Sequence, residues 1–167
     1  MEGLENYKLG ETDEMLHIET RDDCQLVSQA MANQAQRSLN IFSYDLEPMI
    51  YNTPGFYEAT RSVIGADPSS LIRILVYDVN SIINKGHRLL DLCSRLSSRV
   101  QIRKLSKKYH HAFMVADGIG IVDRRQHERF EGTANFNAHG PAQNLQVFFN
   151  GVWEQSSRIP EIYSLKI

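Results

Sequence analysis

The sequence lacks the features that define several large classes of protein. It has only two cysteines, Cys24 and Cys93, among 167 residues, and neither has a partner at metal-ligand spacing, so both are expected to be buried thiols without a role. No apolar run approaches the roughly eighteen residues needed to cross a bilayer. Residues 1 to 14 are acidic and polar and do not resemble a secretion signal. We therefore expect a soluble, cytoplasmic protein that does not insert into membranes.

Three kinds of catalytic motif are also missing from the sequence. Gly118 and Gly120 follow a predicted strand but do not open a helix, which excludes the common nucleotide-binding loops. There is no nucleophile elbow of the serine hydrolase kind. The six histidines and the acidic residues do not repeat at a reliable metal-ligand spacing. The sequence thus predicts neither a metal nor a cofactor.

The composition is that of an ordinary globular domain, but its charge is unevenly distributed. Apolar residues make up 42% and charged residues 23%, and the length fits one domain. Residues 1–60 hold three Lys and Arg against eleven Asp and Glu, a balance of −8, whereas residues 95–129 hold nine against three, a balance of +6. A basic segment around a candidate phosphate site favours an anionic ligand. The overall pI near 6.3 argues against a protein that coats DNA generally.

Predicted helices and strands alternate along the first hundred residues. Apolar periodicity predicts helices at about 20–37, 54–64 and 84–97, and a final helix from Pro141 with one apolar face: Leu145, Phe148, Phe149, Val152 and Trp153. Strands are predicted at 39–45, 71–77 and 100–104, followed by a hairpin of 112–116 and 119–123. This order predicts an α/β fold, with a mixed, mainly parallel sheet flanked by helices on both faces. Residues 1–19 are expected to be an extended or partly disordered N-terminal extension of a domain over 20–167.

One stretch carries a recognisable chemical motif. His110 and Asp117 are followed by the sequence Gly132-Thr133-Ala134-Asn135. This pattern resembles the phospholipase D superfamily signature, which is His-x-Lys, four residues, Asp, and later Gly-Ser-x-Asn. The resemblance covers roughly residues 24–157 and implies a single phospholipase D-like half-unit. The chain is most similar to a bacterial subgroup of that superfamily in which the single motif is degenerate.

The resemblance implies a role for each matching residue. His110 corresponds to the nucleophile that forms a phosphohistidine. Thr133 and Asn135 would bind phosphate, and the neighbouring arginines Arg124 and Arg125 could contribute to the same site. Three further residues are predicted to be structural: Asp117 as a hairpin turn residue, Gly132, and Trp153 of the final helix.

The sequence also departs from the family pattern. Ala112 stands in the place of the lysine, and loss of one preorganised donor typically costs about a hundredfold to a thousandfold in rate. The stretch between Asp117 and Gly132 is longer than in the family by about eight residues. The acidic residue expected after the asparagine is absent, and only Gln143 lies nearby. Several basic residues could replace the lost charge from another direction: Lys107, Lys108, Arg124, Arg125 and Arg129.

These observations leave three functions open. The leading hypothesis is a catalytically impaired module that binds phosphate, another anion or nucleic acid, or that regulates. The second is a metal-independent phosphodiesterase or nuclease, which would require a homodimer because one chain supplies one motif histidine. The third is a scaffold whose acidic N-terminal third binds a protein partner. Gly132 and Asn135 could also serve only as turn residues, and His111 should lie on the opposite side of its strand from His110.

Overall fold

The computed structural model of the chain describes residues 1–164, so the last three residues of the domain predicted over 20–167 lie outside the described residues. The strands within this part are β1 (Leu16–Ile18), β2 (Ser38–Ser43), β3 (Leu71–Val76), β4 (Val100–Lys104), β5 (Ala112–Ala116), β6 (Gly120–Arg124) and β7 (Gly132–Asn135). The helices are α1 (Arg21–Gln34), α2 (Pro48–Tyr51), α3 (Pro54–Ala66), α4 (Val79–Lys85), α5 (Arg88–Arg95), α6 (His139–Gln155) and α7 (Pro160–Ser164).

The strands form one mixed sheet in the order β1-β7-β6-β5-β2-β3-β4. This architecture confirms the predicted mixed α/β sheet flanked by helices. The expectation that the sheet is mainly parallel is wrong, because only β2–β3 and β3–β4 are parallel while the other four pairings are antiparallel. The physical reason is that the chain after β4 returns through short turns, whereas parallel neighbours require long crossover connections.

Side chains alternate between the two faces of the sheet and build two hydrophobic cores. Met114 of β5 belongs to the larger core, formed with α1 to α5 and α7, and we term this side the α1 face. Phe113 belongs to the smaller core, formed with α6, where Phe149 and Trp153 pack, and we term this side the α6 face. The predicted apolar face of the last helix therefore covers one side of the sheet alone.

Local sequence signals explain where two of the helices begin. Thr20 Oγ1 accepts a hydrogen bond from the Asp23 N–H at 3.1 Å, and Thr53 Oγ1 accepts one from the Phe56 N–H at 3.1 Å, with Pro54 at the first position of α3. Each threonine satisfies a backbone donor that the first helical turn leaves free. The predicted helices over 20–37 and 54–64 begin at these caps.

Two predictions of local structure differ from the observed fold. The helix predicted over 84–97 is two helices, α4 and α5, separated at Gly86, which has a φ of 78°. His87 caps α5, because its Nδ1 accepts a hydrogen bond from the Leu89 N–H at 3.1 Å. The N-terminal extension contains strand β1, which pairs antiparallel with β7 and so belongs to the sheet. Within residues 1–164 no helix has the length and apolar character needed to span a membrane.

Candidate anion-binding site

The motif histidine lies at the edge of the sheet where the parallel strands end. β2, β3 and β4 run to this edge, and antiparallel β5 begins there because Phe42 pairs with Phe113 and Leu39 with Ala116. We call this border the carboxyl edge and define it by Tyr44, Tyr77, Lys104 and His110. Ligands of open α/β sheets commonly bind outside the carboxyl ends of the strands. The fold therefore puts His110 at a favourable place for a ligand.

The segment over 125–131 folds back onto His110. The His127 N–H donates a hydrogen bond to the His110 carbonyl at 2.6 Å. The His127 ring stacks on Tyr44, with centroids 4.4 Å apart and planes at 5°, and Tyr44 in turn stacks on Tyr77 at 5.6 Å. Burial lowers the pKa of His127, and the nearby Glu128 carboxylate opposes that shift. Two imidazoles, those of His110 and His127, thus share this edge within one chain.

A buried arginine lies across the sheet from the position of the missing lysine. Ala112 is buried and pairs across the sheet with Arg124. The Arg124 guanidinium forms an ion pair with Glu47 and donates hydrogen bonds to the carbonyl oxygens of Arg129 at 2.9 Å and His127 at 3.3 Å. Burial raises the pKa of Glu47, and the guanidinium acts against that shift. Arg124 was predicted to bind phosphate, and in the folded chain its buried guanidinium has Glu47 and these two carbonyl oxygens as partners.

Exposed lysines supply the positive charge of the carboxyl edge. Lys104 ends β4, and the Lys108 Nζ lies 5.4 Å from the centre of the Tyr44 ring. Lys107 lies over Tyr109 at 5.2 Å. A pocket of about 300 Å³ runs beside them, with this lining: Tyr44, Tyr77, Asp78, Val79, Asn80, Lys104, Leu105 and Ser106. An anion at this edge would meet lysines next to aromatic rings.

Thr133 and Arg125, both predicted phosphate-binding residues, line a second pocket on the α6 face. The pocket has a volume of about 530 Å³. The His111 Nε2 is hydrogen-bonded to the Asp123 carboxylate, and Asp123 lines this pocket together with Arg129. The structure therefore brings Thr133 and Arg125 together, and it separates His111, on the α6 face, from the loop position of His110.

Asn135 has a different set of partners from Thr133. Its Nδ2 donates to Asp13 Oδ1 at 3.0 Å, and its Oδ1 accepts from the Asn137 N–H at 3.0 Å. In β7 it pairs with Ile121, two register steps beyond the Thr133 pair, which is about 7 Å further from the carboxyl edge. These contacts connect Asn135 to the N-terminal segment, and both ends of its amide are already in use.

The three residues predicted to be structural have extensive contacts with the fold. Asp117, with a φ of 53°, accepts hydrogen bonds through its carboxylate from the backbone N–H groups of residues 36–38 at 2.8 to 3.1 Å. A Cβ at Gly132 would lie 2.2 Å from the Asp123 carbonyl oxygen. Trp153 stacks on Phe149 at 5.9 Å. These residues connect strands, turns and α6, and of the three only Gly132 lines one of the two pockets.

Sequence reasoning missed four residues at or beside the carboxyl edge: Tyr44, Lys104, His127 and Glu128. The signals for two of them were present, because Tyr44 lies near the end of one predicted strand and Lys104 ends another. His127 and Glu128 lie in the stretch that is longer than in the family pattern. An inserted segment that carries a histidine close to a motif histidine could have been singled out on that ground.

Comparison with known sequences finds one matching domain family. The family model is described as "Domain of unknown function (DUF7931)" and matches residues 20–165. A comparison with curated proteins finds no match.

Solved structures with a similar fold include phospholipase D family members. Nuc from Salmonella typhimurium, described as such a member, has a TM-score of 0.59 and 12% identity, covering 87% of this chain and 97% of that one. NucT from Helicobacter pylori has a TM-score of 0.59 and 10% identity, covering 87% and 100%. TrmBL2, an archaeal chromatin protein whose structure shows a novel mode of DNA binding, has a TM-score of 0.66 and 12% identity. The match covers 89% of this chain but only 55% of TrmBL2. At such identities the likeness shows the fold alone, and the predicted phospholipase D-like fold is confirmed.

Proposed function

This chain belongs to the DUF7931 domain family, and we propose that it is a nucleic-acid-binding module that keeps the phospholipase D fold with impaired turnover. Within the phospholipase D superfamily, we assign the chain to the bacterial subgroup with a single degenerate motif, because Ala112 stands in the place of the motif lysine. TrmBL2, with a similar fold, is described as binding DNA, and that description supports the choice of ligand class.

The observation that carries this proposal is the combination of lysines and aromatic rings at the carboxyl edge. The Lys108 ammonium lies beside the Tyr44 ring, and Tyr44 and Tyr77 both line the same pocket as Lys104. Proteins that bind single strands use this combination, since lysines follow the phosphate backbone and aromatic rings stack on bases. We therefore assign the phosphates to Lys104, Lys107 and Lys108 and the stacking surface to Tyr77, because the Tyr44 ring already stacks on His127.

The second pocket, around Thr133 and Arg125, extends the proposed surface. Arg125 and Arg129 are exposed and line that pocket. A nucleic acid strand that crosses from the carboxyl edge towards β7 would meet these two arginines next. This path keeps the predicted phosphate-binding roles of Thr133 and Arg125 and assigns no contact to Asn135, whose amide is engaged with Asp13.

Binding of a labelled single-stranded oligonucleotide in EDTA, measured by fluorescence anisotropy over a series of salt concentrations, tests the proposal. Three phosphate contacts predict a slope of about −2 for log K against log salt, because each contact contributes about −0.7. Lys108→Ala should weaken binding and reduce the magnitude of the slope by about 0.7. Lys8→Ala is the matched control, since Lys8 is exposed and lines a pocket with Asp117, at the other end of β5. Absence of binding, or equal effects of the two variants, would refute the assignment.

A phosphodiesterase is the second candidate, and the two imidazoles at one edge favour it. The sequence predicted that a complete site needs a homodimer, because one chain carries one motif histidine. His127 lies beside His110, so a leaving-group acid is within the same chain. Loss of a preorganised cation still reduces the expected rate by about a hundredfold to a thousandfold.

Hydrolysis of a chromogenic phosphodiester in EDTA tests this second candidate. Activity that disappears in both His110→Ala and His127→Ala would support it, and an inactive wild type would exclude it. Ala112→Lys should not restore activity, because residue 112 pairs with Arg124 and a second cation there would be buried beside the guanidinium.

A further inference from the structure

Two histidines and a glutamate form a compact cluster at the carboxyl edge. His110, His127 and Glu128 each offer one ligand atom, and these atoms all lie within 4.8 Å of one another. Zinc binds imidazole nitrogen and carboxylate oxygen at about 2.0 to 2.2 Å, which puts tetrahedral ligand atoms roughly 3.4 Å apart. Ligand atoms as far apart as 4.8 Å must approach by up to about 1.4 Å to reach that spacing. His110 and Glu128 are exposed, so rotation of their side chains can supply this movement.

The His127 imidazole is held in place while one of its nitrogens has no partner. Its side chain is only 10% exposed, and its Nε2 is buried without a hydrogen bond. Glu128 Oε1 lies 3.6 Å from that nitrogen, which is too far for a hydrogen bond. Buried polar atoms nearly always have a partner. An unpartnered nitrogen that faces a carboxylate is the arrangement that a metal ion would complete.

Contacts outside the cluster fix the direction of the His127 ring. The ring stacks on Tyr44 at 4.4 Å, and the backbone N–H of His127 binds the His110 carbonyl at 2.6 Å. The second contact joins the loop that carries one candidate ligand to the segment that carries the other two. Such preorganisation lowers the cost of ordering a metal site.

The types of ligand atom in the cluster decide which cation it would bind. An imidazole pair with a carboxylate selects zinc and its transition-metal neighbours over magnesium or calcium, which prefer oxygen ligands alone.

We propose that His110, His127 and Glu128 bind a divalent transition metal, Zn²⁺, and leave at least one coordination position open. Three protein ligands with an open fourth position are typical of zinc sites that take water or a substrate oxygen. The site lies beside Lys108 and provides positive charge at the edge where Ala112 replaces the lysine. It depends on the stretch by which this chain is longer than the family pattern, because that stretch carries His127 and Glu128.

Metal titration of the full, untagged chain tests this proposal without any nucleic acid. Protein treated with chelator and desalted is titrated with Co²⁺, whose visible absorption reports four-coordinate nitrogen and oxygen ligation, and Zn²⁺ is then added in competition. We expect one equivalent of Co²⁺ to bind and one equivalent of Zn²⁺ to displace it. His110→Gln and His127→Gln should each weaken binding at least about tenfold, since loss of even an outer partner of a metal ligand costs that much.

His139→Gln provides the matched control, because His139 is exposed at the start of α6 and lies outside the cluster. It should bind Co²⁺ like the wild type. No binding by the wild type, or equal binding by the wild type and both cluster variants, would overturn the proposal. Equal loss in His139→Gln would overturn it as well. Since oligonucleotide binding is measured in EDTA and metal binding without oligonucleotide, either proposal can fail while the other stands.

Discussion

Replacing Arg124 with methionine should strongly destabilise the fold. The Arg124 side chain is 3% exposed and its partner Glu47 is 14% exposed, so the variant leaves a carboxylate buried without its counter-charge. Removal of one partner from a buried pair typically costs about 3–5 kcal/mol. At about 2–4 °C per kcal/mol for a chain of this size, the melting temperature should fall by about 10 °C. Thermal unfolding followed by circular dichroism at pH 7 measures this loss.

The pH dependence of the same variant gives a second test. Burial already raises the pKa of Glu47 above its ordinary value of 4.5, and loss of the guanidinium removes an influence that lowers it. The folded variant should therefore take up a proton more readily than the unfolded chain. Its stability deficit relative to the wild type should shrink as the pH falls from 7 towards 4.5.

A double variant separates the charge from the packing. Arg124→Met combined with Glu47→Leu removes both charges and should recover much of the lost stability, because an apolar pair of similar volume is often as stable as a buried ion pair. A loss below about 1 kcal/mol in the single variant would contradict this reasoning. So would a double variant as unstable as the single one.

Three further changes should affect stability in ways that the structure specifies. Burial lowers the pKa of His87 to about 4 from 6.5, so the unfolded chain binds the extra proton between these values and stability should fall by about 3 kcal/mol from pH 6.5 to pH 4. In His87→Gln that part of the pH dependence should disappear. Gly132→Ala should cost at least about 1–3 kcal/mol, as overpacking usually does, because its Cβ would meet the Asp123 carbonyl oxygen at 2.2 Å. Asp117→Ala should cost about 2 kcal/mol, a typical value for hydrogen bonds to a charged group, and Asp117→Asn less, since the amide oxygen can still accept.

Urea unfolding at several pH values measures these effects, with His139→Gln as the control for the histidine variant. A wild-type pH dependence that persists unchanged in His87→Gln would contradict the assigned cause. For Gly132→Ala and Asp117→Ala, unfolding midpoints equal to that of the wild type would show that the close approach and the backbone contacts contribute little.

The fold was predictable where the sequence pattern is long enough to have a period. Apolar periodicity correctly predicted α1 and α3, and the apolar run over 71–77 correctly predicted β3. β1 and β7 have three and four residues, too few for a clear alternation, and they form because they pair with each other and with β6. The mainly parallel sheet was a wrong prediction because alternation over the first hundred residues says nothing about how later strands pair.

The candidate site was less predictable, because its partners are distant in sequence. The motif located His110, but His127 is seventeen residues further along in a segment without apolar periodicity. Arg124 was predicted to bind phosphate from its place near the motif, yet its ion-pair partner, Glu47, is 77 residues away. Only the folded chain brings together Tyr44 and His127, which end up stacked on each other.

Binding of nucleic acid without turnover can be tested in a single experiment. A labelled single-stranded oligonucleotide is incubated in EDTA with the wild type and with Lys108→Ala, read first by anisotropy and then on a denaturing gel. We expect the oligonucleotide to be bound by the wild type, to be bound more weakly by Lys108→Ala, and to remain intact on the gel. An oligonucleotide that is cleaved, or that neither protein binds, would contradict this expectation.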